Sequence, residues 1–292
     1  MDRRRFIGGL IGGLPIGTGS GLATAPTQAR TFLEPARSLP LHDDADVIVC
    51  GGGPAGVAAA VTAARSGARV RLFELQGSLG GVWTSGLLTY IFDFDKPGIT
   101  QEIARRLDAR AARTVVRPSQ FVYSTEDMRI LLDEMCSEAG VRCLLHTRAA
   151  AAHREGSRLA TVVTESKSGR EAWRARAFVD ATGDGDLGAL AGCGWDIGLG
   201  PDCTCQPMTL NALVTIGDAG AIKDCISFHG GTPVHIPAVE RFLAEIRRAG
   251  ADPSYGHPTL FQARGNLLTL MINHEYGIKP FENDKVTEAT IR

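Results

Sequence analysis

The chain has 292 residues, 44% of them hydrophobic and 22% charged, which allows one large domain or two interleaved ones around an ordinary core. With 31 Lys plus Arg against 32 Asp plus Glu there is no global field for a polyanion, and no basic stripe interleaves with aromatics, so nucleic-acid binding is set aside. Seven cysteines are an odd number at irregular spacing, which argues against a disulfide framework, and no Cys/His cluster has zinc spacing.

Residues 1–29 read as a signal of the twin-arginine type. Arg3, Arg4 and Arg5 precede Phe6 and Ile7, and a Gly-rich, mildly apolar stretch runs on to Ala25. Thr27-Gln28-Ala29 supplies small residues for cleavage, so the mature chain is expected to begin near Arg30. Gly8, Gly9, Gly12, Gly13 and Pro15 break the apolar part, so no stable membrane span is expected. The expected partner is the twin-arginine export machinery and the expected location is the periplasm. Since that route carries folded proteins, any cofactor would be trapped before crossing. The plainer alternative is a basic tail with no targeting role.

Residues 30–44 are polar and contain proline, which predicts a linker. The next stretch is the most informative of the chain. A short apolar strand, Val47 to Cys50, meets Gly51, Gly53 and Gly56 in G-x-G-x-x-G spacing, with Pro54 and Ala55 between the last two glycines. An alanine-rich helix follows. This strand, tight turn and helix start form a dinucleotide-binding arrangement: the helix N-terminus offers unpaired N–H groups and a partial positive charge to a pyrophosphate. The strand after the helix, Val70 to Phe73, ends in Glu74. That acid lies 74 − 51 = 23 residues after the first glycine, near the spacing of about 20 for a group that accepts from a ribose hydroxyl. An acid there also disfavours a 2′-phosphate.

A glycine-rich loop follows, with the pair Gly80-Gly81 and then Val82 to Gly86. Apolar spacing predicts helices over residues 99–112 and 125–140. Ser124 or Thr125 can cap the second and Gly140 can end it. Arg129 and Glu126 read as a solvated face of that helix. A strand is expected over 141–147. The β-branched and turn residues of 149–177 predict a three-stranded antiparallel meander. Another buried strand, Ala177 to Asp180, runs into Thr182-Gly183-Asp184-Gly185-Asp186, which offers too few oxygen ligands for calcium. Beyond Gly194 the character shifts. Met208 to Ile216 and Leu267 to Ile272 read as strands of a separate sheet, and 239–250 as a helix closed by glycine. The helix start at 284–292 has Thr287 as its candidate cap. Cys203-Thr204-Cys205 is the one suggestive cysteine pair, with packing the commoner role.

Four blocks in this order resemble FAD-dependent oxidoreductases with a glutathione-reductase-type FAD domain, the group that includes fumarate-reductase-like flavoproteins. They are Val47 to Gly56 with Glu74, the pair Gly80-Gly81, Phe178 to Leu187, and Gln206 to Leu210. Ile272-Asn273-His274 is a further block of the same resemblance. The likeness spans roughly residues 45–292.

The implied fold is α/β: a Rossmann-like FAD-binding domain over 45–194 with an antiparallel β-meander, and an α+β substrate domain over 195–292. That second domain would be incomplete, because members of the family continue into a segment that returns to close over the flavin. Gly51, Gly53, Pro54, Ala55 and Gly56 would serve the diphosphate and Glu74 the ribose. Gly80, Gly81, Thr182 and Gly183 would bring backbone close to the cofactor. Asp184 would sit near the diphosphate or ribityl chain, and Trp83 to Gly86 would run toward the flavin ring. The implied reaction is hydride transfer between a small-molecule substrate and FAD, with the electron acceptor undetermined. His274 is the candidate proton-transfer residue, because imidazole titrates near neutral pH. A structural histidine is the competing reading. Two other functions stay open: a flavin- or partner-binding protein without turnover, and an NAD-dependent oxidoreductase. The meander argues against a plain NAD domain.

Overall fold

A computed structural model describes residues 31–202, 204–231 and 235–291. The signal expected over 1–29 and the Cys203 half of the cysteine pair lie outside the described residues.

The centre is a parallel four-stranded sheet built from β2 (Val47–Cys50), β3 (Val70–Phe73), β7 (Arg142–Leu144) and β11 (Ala177–Asp180), in the order β11-β2-β3-β7. Its strands are short, nearly continuous apolar runs, as expected where both faces are covered. Their alternation sorts them into two cores. Val49 and Leu72 face one side and pack on helices α1 (Pro54–Arg65), α2 (Ile99–Ala109) and α3 (Thr125–Glu138) through Val57, Ala60, Val61, Leu107 and Leu131. Ile48, Cys50 and Phe73 face the other side and pack on the meander through Val162 and Trp173.

The meander is the antiparallel run β8 (Arg148–Glu155), β9 (Arg158–Ser166) and β10 (Gly169–Arg174), as expected from its turns. The expected linker over 30–44 is not wholly a linker. Leu41–His42 forms β1, which pairs in parallel with Ala172 and Trp173 of β10. His42 stacks on Trp173 with ring centroids 4.0 Å apart. Asp44 accepts from Arg71 Nε at 2.7 Å and from Arg142 at 2.9 Å. A two-residue strand has no periodicity to read, because its partners are 131 residues away.

A second antiparallel sheet joins β4 (Tyr90–Ile91), β6 (Gln120–Tyr123) and β5 (Arg113–Arg117). A third joins β12 (Ala212–Thr215), β14 (Leu267–Met271) and β13 (Thr259–Arg264), flanked by α5 (Ile236–Arg248). The two sheets share a core in which Tyr90 stacks on Phe228 and Phe261 at 5.0 and 5.4 Å. Thr89 donates to Thr269 in the same seam at 3.0 Å. The β4-β6-β5 sheet and strand β13 have no counterpart in the sequence reading.

Ser124, not Thr125, caps α3, accepting from the Asp127 amide. The chain's last helix, α4 being the short Asp186–Leu190, is α6 (Asn283–Ile291). Thr287 lies inside it and so caps nothing. Among the described residues no helix is long and apolar enough to cross a membrane.

Candidate functional site

Three loops converge at the carboxyl edge of the parallel sheet, where α/β folds bind ligands. The first is Gly51–Gly53, between β2 and α1. Gly51 N donates to Phe73 O at 2.7 Å, and Gly51 has φ +99°. A Cβ there would lie 2.1 Å from the carbonyl oxygen of Ala181. Only glycine fits, on both conformational and steric grounds. Gly56 is equally constrained, since its Cβ would fall 1.9 Å from Gly51 O. Gly53 differs from both. Its backbone is extended and a Cβ would meet nothing within 4 Å. The side chain missing at Gly53 therefore leaves open space directly in front of α1.

That helix start could receive an anion. Gly53 is its N-cap without any side-chain cap, Pro54 fills the first turn, and no acid is present there. The amides of Ala55 and Gly56 are among the N–H groups that an α-helix cannot pair internally. Ala55 is exposed.

The second loop follows β3. Glu74 is 6% exposed, and both carboxylate oxygens are engaged: Oε2 accepts from Gly52 N and Oε1 from Gln76 N, each at 2.6 Å. The acid expected to serve a ribose thus also ties the first loop to the second. Gly80 N donates to Gly52 O at 2.8 Å, and a Cβ on Gly81 would lie 3.1 Å from the Gly53 Cα. Residues Trp83 to Leu88 are pinned from below by Tyr123, whose hydroxyl bonds to the carbonyls of Trp83 (2.8 Å) and Leu88 (2.7 Å). Arg129 reaches Thr84 O at 3.3 Å as well as Glu126, so it is not simply a solvated-face residue. Burial of the α3–loop contact overrides the helical spacing from which that face was read.

The third loop leaves β11. Asp180 organises it, accepting from the Thr182 amide (3.1 Å), the Thr182 hydroxyl (2.7 Å) and Gly188 N (2.7 Å). Thr182 Oγ1 in turn accepts from Asp186 N at 2.7 Å. The Thr182 side chain is therefore committed to the loop. Gly183 has φ +91° and nothing within 4 Å of its notional Cβ, and it is exposed beside Asp184 and Gly185. Sequence reasoning missed Asp180 as the loop's organiser. Its position at a strand end, before a Thr-Gly pair, was the available signal.

These loops assemble Gly51, Gly53, Pro54, Ala55, Gly56, Glu74, Gly80, Gly81, Thr182, Gly183 and Asp184 around one edge. The open positions at Gly53 and Gly183, the uncapped α1 terminus and the buried acid fit a dinucleotide diphosphate with its ribose. A shallow depression at the opposite edge of the sheet, lined by Arg69, Arg174 and Arg176, fits less well, since Arg69 is spent on Asp46 at 3.0 Å.

His274 belongs to a different cluster. Its Nδ1 lies 2.8 Å from Asn273 O and 2.5 Å from Thr209 Oγ1, its amide donates to Ser254 Oγ, and its ring stacks on Tyr255 at 3.8 Å. Paired backbone bonds between Met208 and Glu275 hold the two segments together. This cluster connects to the cradle through Asn211, whose Nδ2 donates to Gly86 O at 2.9 Å. Among the described residues no group of three His, Cys, Asp or Glu side chains is placed to hold a metal ion.

The sequence model of the family described as FAD dependent oxidoreductase matches residues 46–285. Thiamine thiazole synthase of Methanosarcina mazei is 37% identical over 81 residues, covering 27% of this chain and 26% of that one. Two solved structures share the fold at low identity. The geranylgeranyl bacteriochlorophyll reductase-like protein of Thermoplasma acidophilum is 15% identical with a TM-score of 0.50, over 86% of this chain and 62% of its own. The p-nitrophenol 4-monooxygenase of Pseudomonas putida is 13% identical with a TM-score of 0.52, over 85% and 62%. The chain thus spans about a quarter of the curated relative and under two thirds of these structures.

Proposed function

Because the chain belongs to the FAD dependent oxidoreductase family, whose cofactor is FAD, we propose that it transfers a hydride between a small-molecule substrate and the flavin. The observation that supports this reading is the three-loop cradle, open at Gly53, Gly183 and Gly185 and closed at Gly51 and Gly56 by backbone. FAD, when bound, supplies a two-electron centre. The chain's own residues bind and position it. The α1 amides would receive the diphosphate, Glu74, which holds the Gly52 and Gln76 amides, would face the ribose, and Asp180 holds the Thr182-Gly183 turn that follows Ala181, whose carbonyl closes on Gly51. His274 takes the proton-transfer role in this reading. Its Nδ1 lies against both the Asn273 carbonyl and the Thr209 hydroxyl, and the role requires the tautomer in which Nδ1 donates to that carbonyl and Nε2 is free to take a proton.

Residues 1–29 support export by the twin-arginine route into the periplasm, since Arg3, Arg4 and Arg5 precede Phe6-Ile7. N-terminal analysis of exported protein should find a start near Arg30; Met1 retained there overturns this part.

The test of the enzymatic reading has two steps. Cofactor released from purified protein should have the absorption and mass of FAD at near-unit stoichiometry. Bound flavin should then bleach with an organic hydride donor and recover with an acceptor. FAD that binds but never changes redox state under a broad donor panel would leave a binding protein without turnover.

A further inference from the structure

Asn211 stands between two clusters that the sequence keeps far apart, the cradle and the surroundings of His274. On the cradle side is the loop Gly81 to Leu88. It begins against the open position, since a Cβ on Gly81 would lie 3.1 Å from the Gly53 Cα. It then folds tightly on itself: Gly86 N donates to Gly81 O at 3.0 Å and Leu88 N to Val82 O at 3.1 Å. A Cβ on Gly86 would lie 2.9 Å from the Val82 Cα, and Leu87 is left-handed at φ +55°. A loop closed on itself in this way moves as one piece, so a restraint at Gly81 reaches Gly86.

On the other side is the segment Met208 to Asn211. Met208 and Glu275 exchange two backbone bonds, at 2.9 and 2.8 Å, and Thr209 Oγ1 lies against His274 Nδ1. Two residues on, Asn211 Nδ2 donates to Gly86 O at 2.9 Å. A carbonyl is an acceptor, so the Asn211 carboxamide must turn its NH₂ group toward Gly86. Its Oδ1 is then shielded from solvent and makes no hydrogen bond among the described residues. A shielded acceptor without a donor destabilises the fold, and an apolar side chain of the same shape would relieve it. What asparagine contributes here is therefore the bond to the loop and not stability. The two parts of the chain dock without that bond, through Thr89 on Thr269, Arg264 on Asp127 at 3.1 Å and the Tyr90 stack.

We propose that Asn211 is a positioning residue that couples occupancy of the cradle to the order of the His274 segment. A dinucleotide held in front of Gly53 stiffens the loop Gly81 to Leu88, and the Asn211 bond passes that restraint to Met208, Thr209 and His274. The inference rests on the reading of the cradle as the FAD site.

The test is hydrogen exchange followed by mass spectrometry on the full chain, stripped of cofactor and then measured with and without FAD. Peptides spanning 51–60 report the cradle, and those spanning 206–212 and 272–277 report the His274 segment, where the Met208 and Glu275 amides are bonded. In the wild type FAD should slow exchange in all three. In Asn211→Leu, FAD should still slow 51–60, while the slowing at 206–212 and 272–277 falls by about fivefold or more, the lower end of coupling between sites. Asn211→Asp has the same shape but turns an acceptor toward Gly86 O, and should lose the distant slowing as well. The Asn211→Leu apoprotein should match or exceed the wild type in urea unfolding; a clear loss of stability there assigns the residue to structure and overturns the proposal. Full slowing at 206–212 in both variants, or none there in a wild type protected at 51–60, overturns the coupling and leaves the FAD site standing. A wild type with no FAD-dependent slowing at 51–60 overturns the FAD site itself, and this inference with it.

Discussion

Gly53→Val separates cofactor binding from folding more cleanly than any other substitution in the cradle. The Gly53 backbone is extended, with φ −68° and ψ −174°, a conformation that valine and the following proline both accept. Its Cβ meets nothing within 4 Å. The folded apoprotein should therefore be no less stable, and a gain of about 0.4–1 kcal/mol is expected from the stiffer unfolded chain. The added side chain fills the space in front of the Ala55 and Gly56 amides. Loss of two charge-assisted hydrogen bonds at about 1.5–3 kcal/mol each amounts to about 3–6 kcal/mol, or roughly 10²- to 10⁴-fold in FAD affinity. Gly51→Ala is the contrasting variant. It sets a Cβ 2.1 Å from Ala181 O at φ +99°, and backbone strain with overpacking should cost roughly 2–6 kcal/mol of stability. Urea unfolding of the apoproteins and titration with FAD followed by quenching of its fluorescence give both quantities. A Gly53→Val protein that binds FAD as the wild type does would refute the placement of the diphosphate. One that unfolds in the absence of FAD would refute the reading of Gly53 as an open position.

Three further outcomes are expected. Glu74→Gln replaces one acceptor by an NH₂ group facing a backbone N–H, so the apoprotein should lose about 1–3 kcal/mol in urea unfolding, with weaker FAD retention. The Arg71 guanidinium beside Asp44 holds that carboxyl down to about 2, from an ordinary 3.8. A depressed carboxyl contributes stability above its unfolded value and loses it as pH falls toward 2. The Asp44 side chain is 38% exposed, so solvent screening limits the effect of Asp44→Asn to about 1 kcal/mol or less at pH 7. The difference from wild type should vanish near pH 2 in acid-unfolding curves. His274→Asn should lower the rate of flavin reduction by substrate about 10²- to 10⁴-fold if its Nε2 moves a proton, while FAD content stays unchanged. An unaltered rate removes His274 from the mechanism and leaves it as the residue that ties Thr209 to Tyr255.

Much of this molecule was legible as a string because its instructions are local. The run Val47 to Gly56 specifies strand, turn and helix within ten positions, and glycine at 56 is demanded by the carbonyl of Gly51, only five residues before it. The meander announced itself through Gly156 and Gly169 at its turns and β-branched residues between them. Helix α3 followed from its apolar spacing and the serine before it. The pairing of Leu41–His42 with β10, the stacking of Tyr90 on Phe228 and Phe261, and the Thr89–Thr269 bond join residues far apart in sequence, and nothing periodic marks either partner. The two-residue strands β1 and β4 exist only because a longer strand offers them an edge.

The site divides along the same line. Residue types and spacing picked out the glycine loop after β2, the acid after β3 and the two later glycine turns. Tertiary structure decided how they act together: Glu74 binds the Gly52 amide, Gly80 donates to Gly52 O, and Ala181 O closes on Gly51. It also showed that Thr182 is committed to Asp180 and Asp186, which leaves the backbone at Gly183 as the open feature of that turn. His274 was legible as a residue and not as a neighbourhood, since Thr209, Ser254 and Tyr255 reach it only through folding. Local sequence sets backbone conformation because sterics act between adjacent residues. The meeting of distant side chains depends on how whole elements pack, and that information is spread over the entire chain.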